Sequence, residues 1–494
     1  MDCLTRQRDQ RSLTKILRHL LAGVLVLHVS FISLLNAQTI APEPALSDVG
    51  SLASPGLLDG HSDSAFASLS QRVADLEREL AKRNNSAAES GRSVERSPEK
   101  VVAAPSNDKW TVKFGGHVQL DYINWANADS AISGPAATPG TKDYFEFRRL
   151  RLMAEGTGYG NLDFRLQMTL EPETVGESGG AATSPDVKDA YLSVNEIPWL
   201  GRFRIGNFFV PFSLEQVTND TNNIFMERSI PSQGIFAADR EVGIAFYNAT
   251  EDKRVTWAYG AFFDSISDTL KERIDDNQGY RLSGRATWLP YYDEESNGRY
   301  LVHLGTGILY TADQDHSVRF RARPQIHEGP RLIDSGVLNA PSYTTGNLEC
   351  AVVWGSVTVQ NEAFLSRVNL SAGDPATVGG AYSHVSYFLT GENRIFERFG
   401  QHGAQFGRNV PKSNFRLSGT DCGWGAWEAK ARWSYLNLND VHKGEYNDLT
   451  VGMNWYWTER TRVMFDWIHP VTTSQTTFGK TKSDLLAMRF DFNW

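Results

Sequence analysis

The stretch NLDFRLQMTLE, Asn161 to Glu171, alternates without a break. Leu162, Phe164, Leu166, Met168 and Leu170 take one parity, and Asn161, Asp163, Arg165, Gln167, Thr169 and Glu171 take the other. Successive strand side chains point to opposite faces, so the segment reads as a strand with one apolar and one wet side. In a soluble sandwich the apolar side faces a protein core and the wet side bulk water. In a transmembrane barrel the apolar side faces lipid and the wet side a channel.

The pattern recurs from Trp110 to Trp494. Trp110, Val112, Phe114, Val118, Leu120 and Tyr122 alternate with polar residues near the start, as Leu486, Met488, Phe490, Phe492 and Trp494 do at the finish. First and last strands are both well formed, as they must be to pair with each other and remove the sheet's edges. About 385 residues at about 24 per tilted strand with its connections gives about 16 strands. Aromatic residues gather at candidate strand ends: Trp288 with Tyr291 and Tyr292, Trp424 with Trp427, Trp455 with Tyr456 and Trp457. Interfacial girdles account for this placement, and the alternative is the core of a soluble all-β protein.

The mean hydropathy of −0.37 and the lack of a long apolar run beyond the N-terminus exclude a helical membrane protein. They leave a barrel open, because half the residues of a barrel strand are polar. A net charge of −9 argues against a nucleic-acid partner. The N-terminus carries Arg6, Arg8, Arg11, Lys15 and Arg18 before the apolar run Leu20 to Leu35 and Asn36-Ala37-Gln38, which reads as a signal peptide over 1–37, with an uncleaved anchor helix as the alternative. Residues 38–108 read as a periplasmic spacer rich in Ala, Ser, Pro and charge. Within it, Phe66, Leu69, Val73, Leu76 and Leu80 are spaced as a short coiled coil at 64–83, or as one face of an amphipathic helix docked elsewhere. Of the three cysteines, Cys3 lies in the signal peptide, and Cys350 and Cys422 are two free thiols or a pair. The expected fold is therefore all-β: a transmembrane antiparallel barrel over 109–494 behind a periplasmic spacer.

Parity then assigns side chains to the lumen, and arginine recurs there. Arg149 and Arg151 share a face in YFEFRRLRLMAEG; Arg165 sits on the wet side of the opening strand; Arg202 and Arg204 share a face in GRFRIG; Arg281 and Arg285 do so in YRLSGRATW; Arg319, Arg321 and Arg323 do so in VRFRARP. A guanidinium keeps its charge and offers planar paired donors to oxyanions, so such ladders suit a small anion passed from site to site. The competing reading is that these arginines pair with lumen carboxylates such as Asp163, Glu171, Asp189 and Asp466 and stiffen the wall. Gly206, Pro211 and the polar run Thr218 to Asn223 interrupt strand pairing, which suits a loop folded into the pore or an ordinary external loop. Glu227 and Arg228 are positioned to fix such a loop to the wall by a charge pair.

The stretches FEFRRLRLMAEGTGYGNLDFRLQ, RIGNFFVPFSLEQVTNDTNNIFMERS and REVGIAFYN resemble the phosphate-selective porins O and P, and the pattern covers most of 110–494. The resemblance implies a sixteen-stranded, homotrimeric outer-membrane barrel carrying phosphate or a related small inorganic anion through an arginine-lined constriction. Arg148-Arg149-x-Arg151 matches the family's anion-contacting arginines. Arg148 has the wrong parity for the lumen, so it needs a bulge or a strand-end position. Lysines are scattered, at Lys271, Lys412, Lys443 and Lys480, with no compact cluster.

Gly176-Glu177-Ser178-Gly179-Gly180 matches the nucleophile-elbow pattern but lacks the strand-to-helix context that such an elbow requires. The eleven histidines show no His-Glu-x-x-His arrangement. No catalytic residue, metal site or cofactor is expected. The expected function is passive, anion-selective diffusion, with a weakly selective general porin, a barrel lipase or an outer-membrane anchor as alternatives.

Overall fold

In β3 (Leu162–Thr169) Arg165, Gln167 and Thr169 are buried, and Leu166 is exposed. That inversion decides between the two readings of the strand, because a soluble sandwich buries the apolar side. The computed structural model describes residues 109–134, 140–171, 186–263, 279–313, 315–416 and 423–494. The signal peptide, spacer, coiled coil, Gly176 to Gly180, Lys271 and Cys422 lie outside the described residues. Cys350 is a free thiol. The same inversion holds in β12 (Ser342–Trp354), where Thr345, Asn347 and Glu349 are buried and Leu348 is 58% exposed.

Sixteen strands close the wall in chain order. They are β1 (Thr111–Asn127), β2 (Tyr144–Gly158), β3, β4 (Asp186–Ile197), β5 (Gly201–Phe209), β6 (Arg240–Ala249), β7 (Val255–Phe263), β8 (Tyr280–Tyr292), β9 (Tyr300–Ala312) and β12. The circuit continues through β13 (Val357–Asn369), β14 (Ala376–Phe388), β17 (Ala426–Asn437), β18 (Glu445–Thr458), β19 (Thr461–Thr472) and β20 (Asp484–Asn493). Every neighbouring pair is antiparallel, and β1 meets β20, from His117 opposite Asn493 to Asn127 opposite Asp484. Closure leaves the wall with no unpaired edge, as expected from the amphipathic first and last strands.

Chain direction places both barrel termini at one end, the turn end, where most connections are short. Tyr159 (φ 52°) and Gly160 (φ 82°) turn β2 into β3 there through the left-handed region that tight hairpins use. Trp427 stacks on Trp455 with centroids 4.9 Å apart, and Phe415 meets Trp455 at 4.8 Å, forming an aromatic patch at the same end.

Two long connections from the opposite end, 210–239 and 313–341, fold inward. Their destination is an apolar shelf on the lumen wall, where Leu309, Phe364, Val378, Tyr382, Leu436 and Ile468 are buried under Phe212, Ile230, Phe236, Phe320 and Ile326 of the loops. Phe236 bridges the two loops and the wall, stacked on Phe364 at 6.0 Å and tilted against Phe320 at 5.7 Å. Removing those rings from water holds the loops inside.

The ladder expected at Arg319, Arg321 and Arg323 is corrected by this arrangement. The segment lies in the inserted 313–341 loop, where β10 (Arg321–Ala322) pairs only with β11 (Ile333–Asp334). Its alternation is real, but Val318, Phe320 and Ala322 face other loop residues and the shelf, not lipid. Arg319 pairs with Asp334 at 2.5 Å in an exposed position.

Candidate functional site

β2 brings Arg148, Arg149 and Arg151 into the lumen together. The pairing of β1 with β2 slips between Gln119 and Leu120, which face Arg149 and Phe147, so Arg148 is the extra residue of a bulge. Its side chain turns inward and donates from Nε and Nη2 to Glu227 at 2.7 and 3.0 Å. Arg149 and Arg151 follow the regular parity, and each forms an ion pair with Asp220 Oδ2, at 3.2 and 3.1 Å.

Asp220 and Glu227 belong to the inserted loop 210–239, whose short helix Leu214–Val217 is capped by Ser213 and whose first N–H groups donate to Glu362 of the wall. Among the described residues Arg228 forms no ion pair with the wall, although its guanidinium lies 5.6 Å from the Phe209 ring of β5. It pairs with Asp220 at 2.7 Å and donates to the carbonyls of Glu215, Gln216 and Thr218, bracing the loop internally. Glu227 is a wall tether beside Asp220, held by Arg148 and by Arg489 at 2.7 Å. Burial pushes both acids up, but Arg149, Arg228 and Arg151 hold Asp220 well below the ordinary carboxylate range. Arg148, Arg489 and Arg149 do the same for Glu227.

The loop backbone is clamped by cations as well. The carbonyl of Asn222 accepts from Arg394 at 3.2 Å, Asn223 from Arg462 at 2.6 Å, Ile224 from Lys430 at 2.9 Å, and Met226 from Arg489. Lys430 and Arg462 were not singled out from the sequence. Each stands at lumen parity in β17 or β19 and could have been found by extending the parity argument.

A second segment enters from the turn end. Residues 389–425 connect β14 to β17 and carry the hairpin β15 (Phe396–Gly400) and β16 (Gly403–Phe406) into the bore. Arg202 donates to the carbonyls of Gly400 and Gln401, both at 3.0 Å; Arg204 donates to Gln401 O at 2.9 Å; Arg285 donates to Ala404 O at 2.9 Å. The inserted segments meet where Phe406 N–H donates to Thr218 Oγ1 at 3.3 Å and Asn222 donates to Phe406 O at 3.4 Å. Its strands are only five and four residues long, too short for alternation to mark the hairpin in the sequence, so only the structure shows it.

Most lumen arginines also have carboxylate partners. Arg165 pairs with Asp189 at 3.2 Å and Glu155 at 3.0 Å, Arg285 with Glu349 at 2.7 Å, Arg281 with Glu241, and Arg462 with Asp491 at 2.9 Å. Among the described residues Arg202 and Arg204 reach no carboxylate within ion-pair distance. They line a cavity of about 280 Å³ at the turn end with Lys113, Tyr191, Gln401 and the acids Glu155 and Asp163. A cavity of about 250 Å³ at the loop end is bordered by Arg321, Arg323, Arg331, His327 and Gln233. Arginine-bearing cavities therefore lie at both ends of the inserted segments. The sequence-chosen arginines divide accordingly: Arg148, Arg149, Arg151 and Arg165 gather near the constriction, Arg202 and Arg204 below it, Arg321 and Arg323 above it. Arg281 and Arg285 lie on the far wall, and Arg319 sits apart.

The sequence matches that of a Caulobacter vibrioides protein of unassigned function, 28% identical over 364 residues, covering 69% of this chain and 67% of the relative. Among solved structures, OmpT of Vibrio cholerae aligns with a TM-score of 0.47 at 10% identity over 78% of this chain and all of that one. An anion-selective porin from Comamonas acidovorans aligns with a TM-score of 0.45 at 14% identity over 78% of this chain and 100% of its own. The profile of the phosphate-selective porins O and P matches residues 112–494, the whole of the described barrel but its first few residues. The chain belongs to the phosphate-selective porin O and P family.

Proposed function

We propose that this outer-membrane porin carries small inorganic oxyanions, phosphate among them, by passive diffusion through a bore whose narrowest part is lined by Arg148, Arg149 and Arg151. As a porin it is a channel and not an enzyme. The observation that carries the reading is the seat around Asp220, where Arg149, Arg151 and Arg228 converge on one carboxylate at 2.7–3.2 Å. Guanidinium groups arranged around a carboxylate present donors that a phosphate oxygen can accept equally well. An arriving oxyanion competes with Asp220 for them, and weak binding in series with the arginine-bearing cavities at both ends lets it leave. Arg165, Arg202, Arg204, Arg281, Arg285, Arg319, Arg321 and Arg323 serve in this reading as flanking contacts of decreasing proximity.

The carboxylate partners of Arg165, Arg281, Arg285 and Arg462 favour a second reading, a general diffusion porin whose wall charges cancel. The zero-current potential across a lipid bilayer under a KCl gradient, followed by phosphate titration of the chloride current, separates the two. A strongly anion-selective potential with block at low phosphate supports the oxyanion channel. A weak potential without block supports the general porin. Export by a signal peptide over 1–37, a periplasmic spacer over 38–108 and homotrimer formation aided by the coiled-coil spacing at 64–83 complete the proposal. An outer-membrane anchor would instead show unchanged uptake when Arg149 and Arg151 are replaced.

A further inference from the structure

Away from β2, the lumen face of β14 and β17 gathers positive charge under two aromatic rings, Phe225 and Phe406. His384 and Arg432 are direct cross-strand partners, and Gln360 of β13 is the partner of His384 on its other side. Arg394, reaching in from the 389–425 connection, donates to Gln360 at 3.2 Å. Phe225 of the inserted loop lies over this group, 4.2 Å from Arg432 Cζ, 5.0 Å from Lys430 Nζ and 5.5 Å from the centroid of the His384 ring.

The hydrogen-bond inventory of the group is incomplete. Arg432 and Arg394 are each 1% exposed and His384 4%. Among the described residues Nε and Nη2 of Arg432, Nε of Arg394 and both ring nitrogens of His384 have no hydrogen-bond partner. Glu215 reaches only Nη1 of Arg432, at 3.2 Å, and Asp466 pairs with Lys430 at 2.7 Å. Buried guanidinium donors call for acceptors. The face of a phenyl ring answers the charge through its quadrupole but offers no lone pair to the N–H groups. A tetrahedral oxyanion answers both.

We propose that Arg394, Arg432, His384 and Lys430 form a second oxyanion site, and that Phe225 is the chain's own occupant of it. The proposal rests on the oxyanion-channel reading and adds a site away from β2. The clamped carbonyls of Asn222, Asn223 and Ile224 hold the loop backbone, so rotation of the Phe225 side chain uncovers Arg432, Lys430 and His384, while Arg394 stays against the Phe406 ring at 3.8 Å. Inorganic phosphate is the ligand whose size and acceptor count match them.

The test titrates chloride current with inorganic phosphate in planar bilayers for the full-length protein and its Phe225→Ala variant. The expected result is a fall of about fivefold or more in the half-blocking phosphate concentration for F225A, equivalent to ~1 kcal/mol. Adding Arg432→Gln or Arg394→Gln to F225A returns the value to that of the unsubstituted channel; either double variant suffices if the other fails to insert. An unchanged half-block in F225A, or a gain that survives both second substitutions, overturns the proposal. Adding Arg149→Gln to F225A distinguishes the two sites: the F225A gain persists if the second site is independent. Absence of anion selectivity in the unsubstituted channel, with no block in any variant, overturns the oxyanion-channel reading and this site together.

Discussion

Asp220 Oδ2 of the inserted loop stands 3.1 Å from Arg151 Nη1 on β2, a contact between a pore-narrowing segment and the wall strand most like the family's arginine motif. In the proposed oxyanion channel Asp220 is the internal competitor for the donors that a permeating anion needs. Asp220→Asn should make the zero-current potential more anion-selective and lower the half-blocking phosphate concentration by about tenfold, equivalent to ~1.4 kcal/mol. No change in either quantity would show that oxyanions do not use this seat.

Glu227 is clasped by Arg148 and Arg489 in a buried site. Glu227→Gln leaves the buried Arg148 guanidinium without its counter-charge, while Arg489 keeps Asp121, at a cost of about 3–5 kcal/mol. The temperature at which the folded barrel loses its compact mobility on a gel should fall. Single-channel conductance should rise as the loop loosens. Asp252→Asn, at an exposed turn residue, provides a control with neither effect.

The two loop acids also set a pH range. Both have folded-state values well below their ordinary 3.8 and 4.5 because neighbouring arginines outweigh burial. A depressed acid contributes stability that is full above its ordinary range and is lost as pH falls through the folded value. The loop should therefore stay in place from pH 7 down through the ordinary carboxylate range and loosen only in stronger acid. Conductance recorded against pH checks this, and a step near pH 4 to 5 attributable to the loop would contradict it.

The hairpin from the turn end makes its own contribution to the constriction. Replacing residues 396–406 with a short Gly-Ser turn removes the carbonyls that Arg202, Arg204 and Arg285 now satisfy. Conductance should increase severalfold while the barrel still inserts, since none of its sixteen wall strands is touched. Unchanged conductance would place the narrowest point wholly in the 210–239 loop.

The wall was legible because a strand's two faces are a local property. Arg165, Gln167 and Thr169 face inward in the pattern read directly from the residues. The parity conflict at Arg148 likewise signalled the bulge found there. Period-two alternation shows that one face is covered but not what covers it. Arg319, Arg321 and Arg323 alternate like a wall strand although Phe320 is covered by Phe236 of another loop. Charge partners were illegible for a related reason. Arg285 and Glu349 meet across β9, a relation fixed by sheet register over 64 residues of chain. The hairpin at 396–406 gave no periodic signal at all, because backbone carbonyls of any residue type can satisfy arginines.

Arg489 joins the barrel's last strand to its first through Asp121, 368 residues away, and the same guanidinium binds Glu227 and the carbonyl of Met226. The seam of the cylinder and its choke thus share a fastener, carried by the strand that closes the barrel. A chain that has not sealed its wall also lacks one of the ties on its restriction, so a mispaired product is a compromised sheet rather than an intact open hole in the envelope.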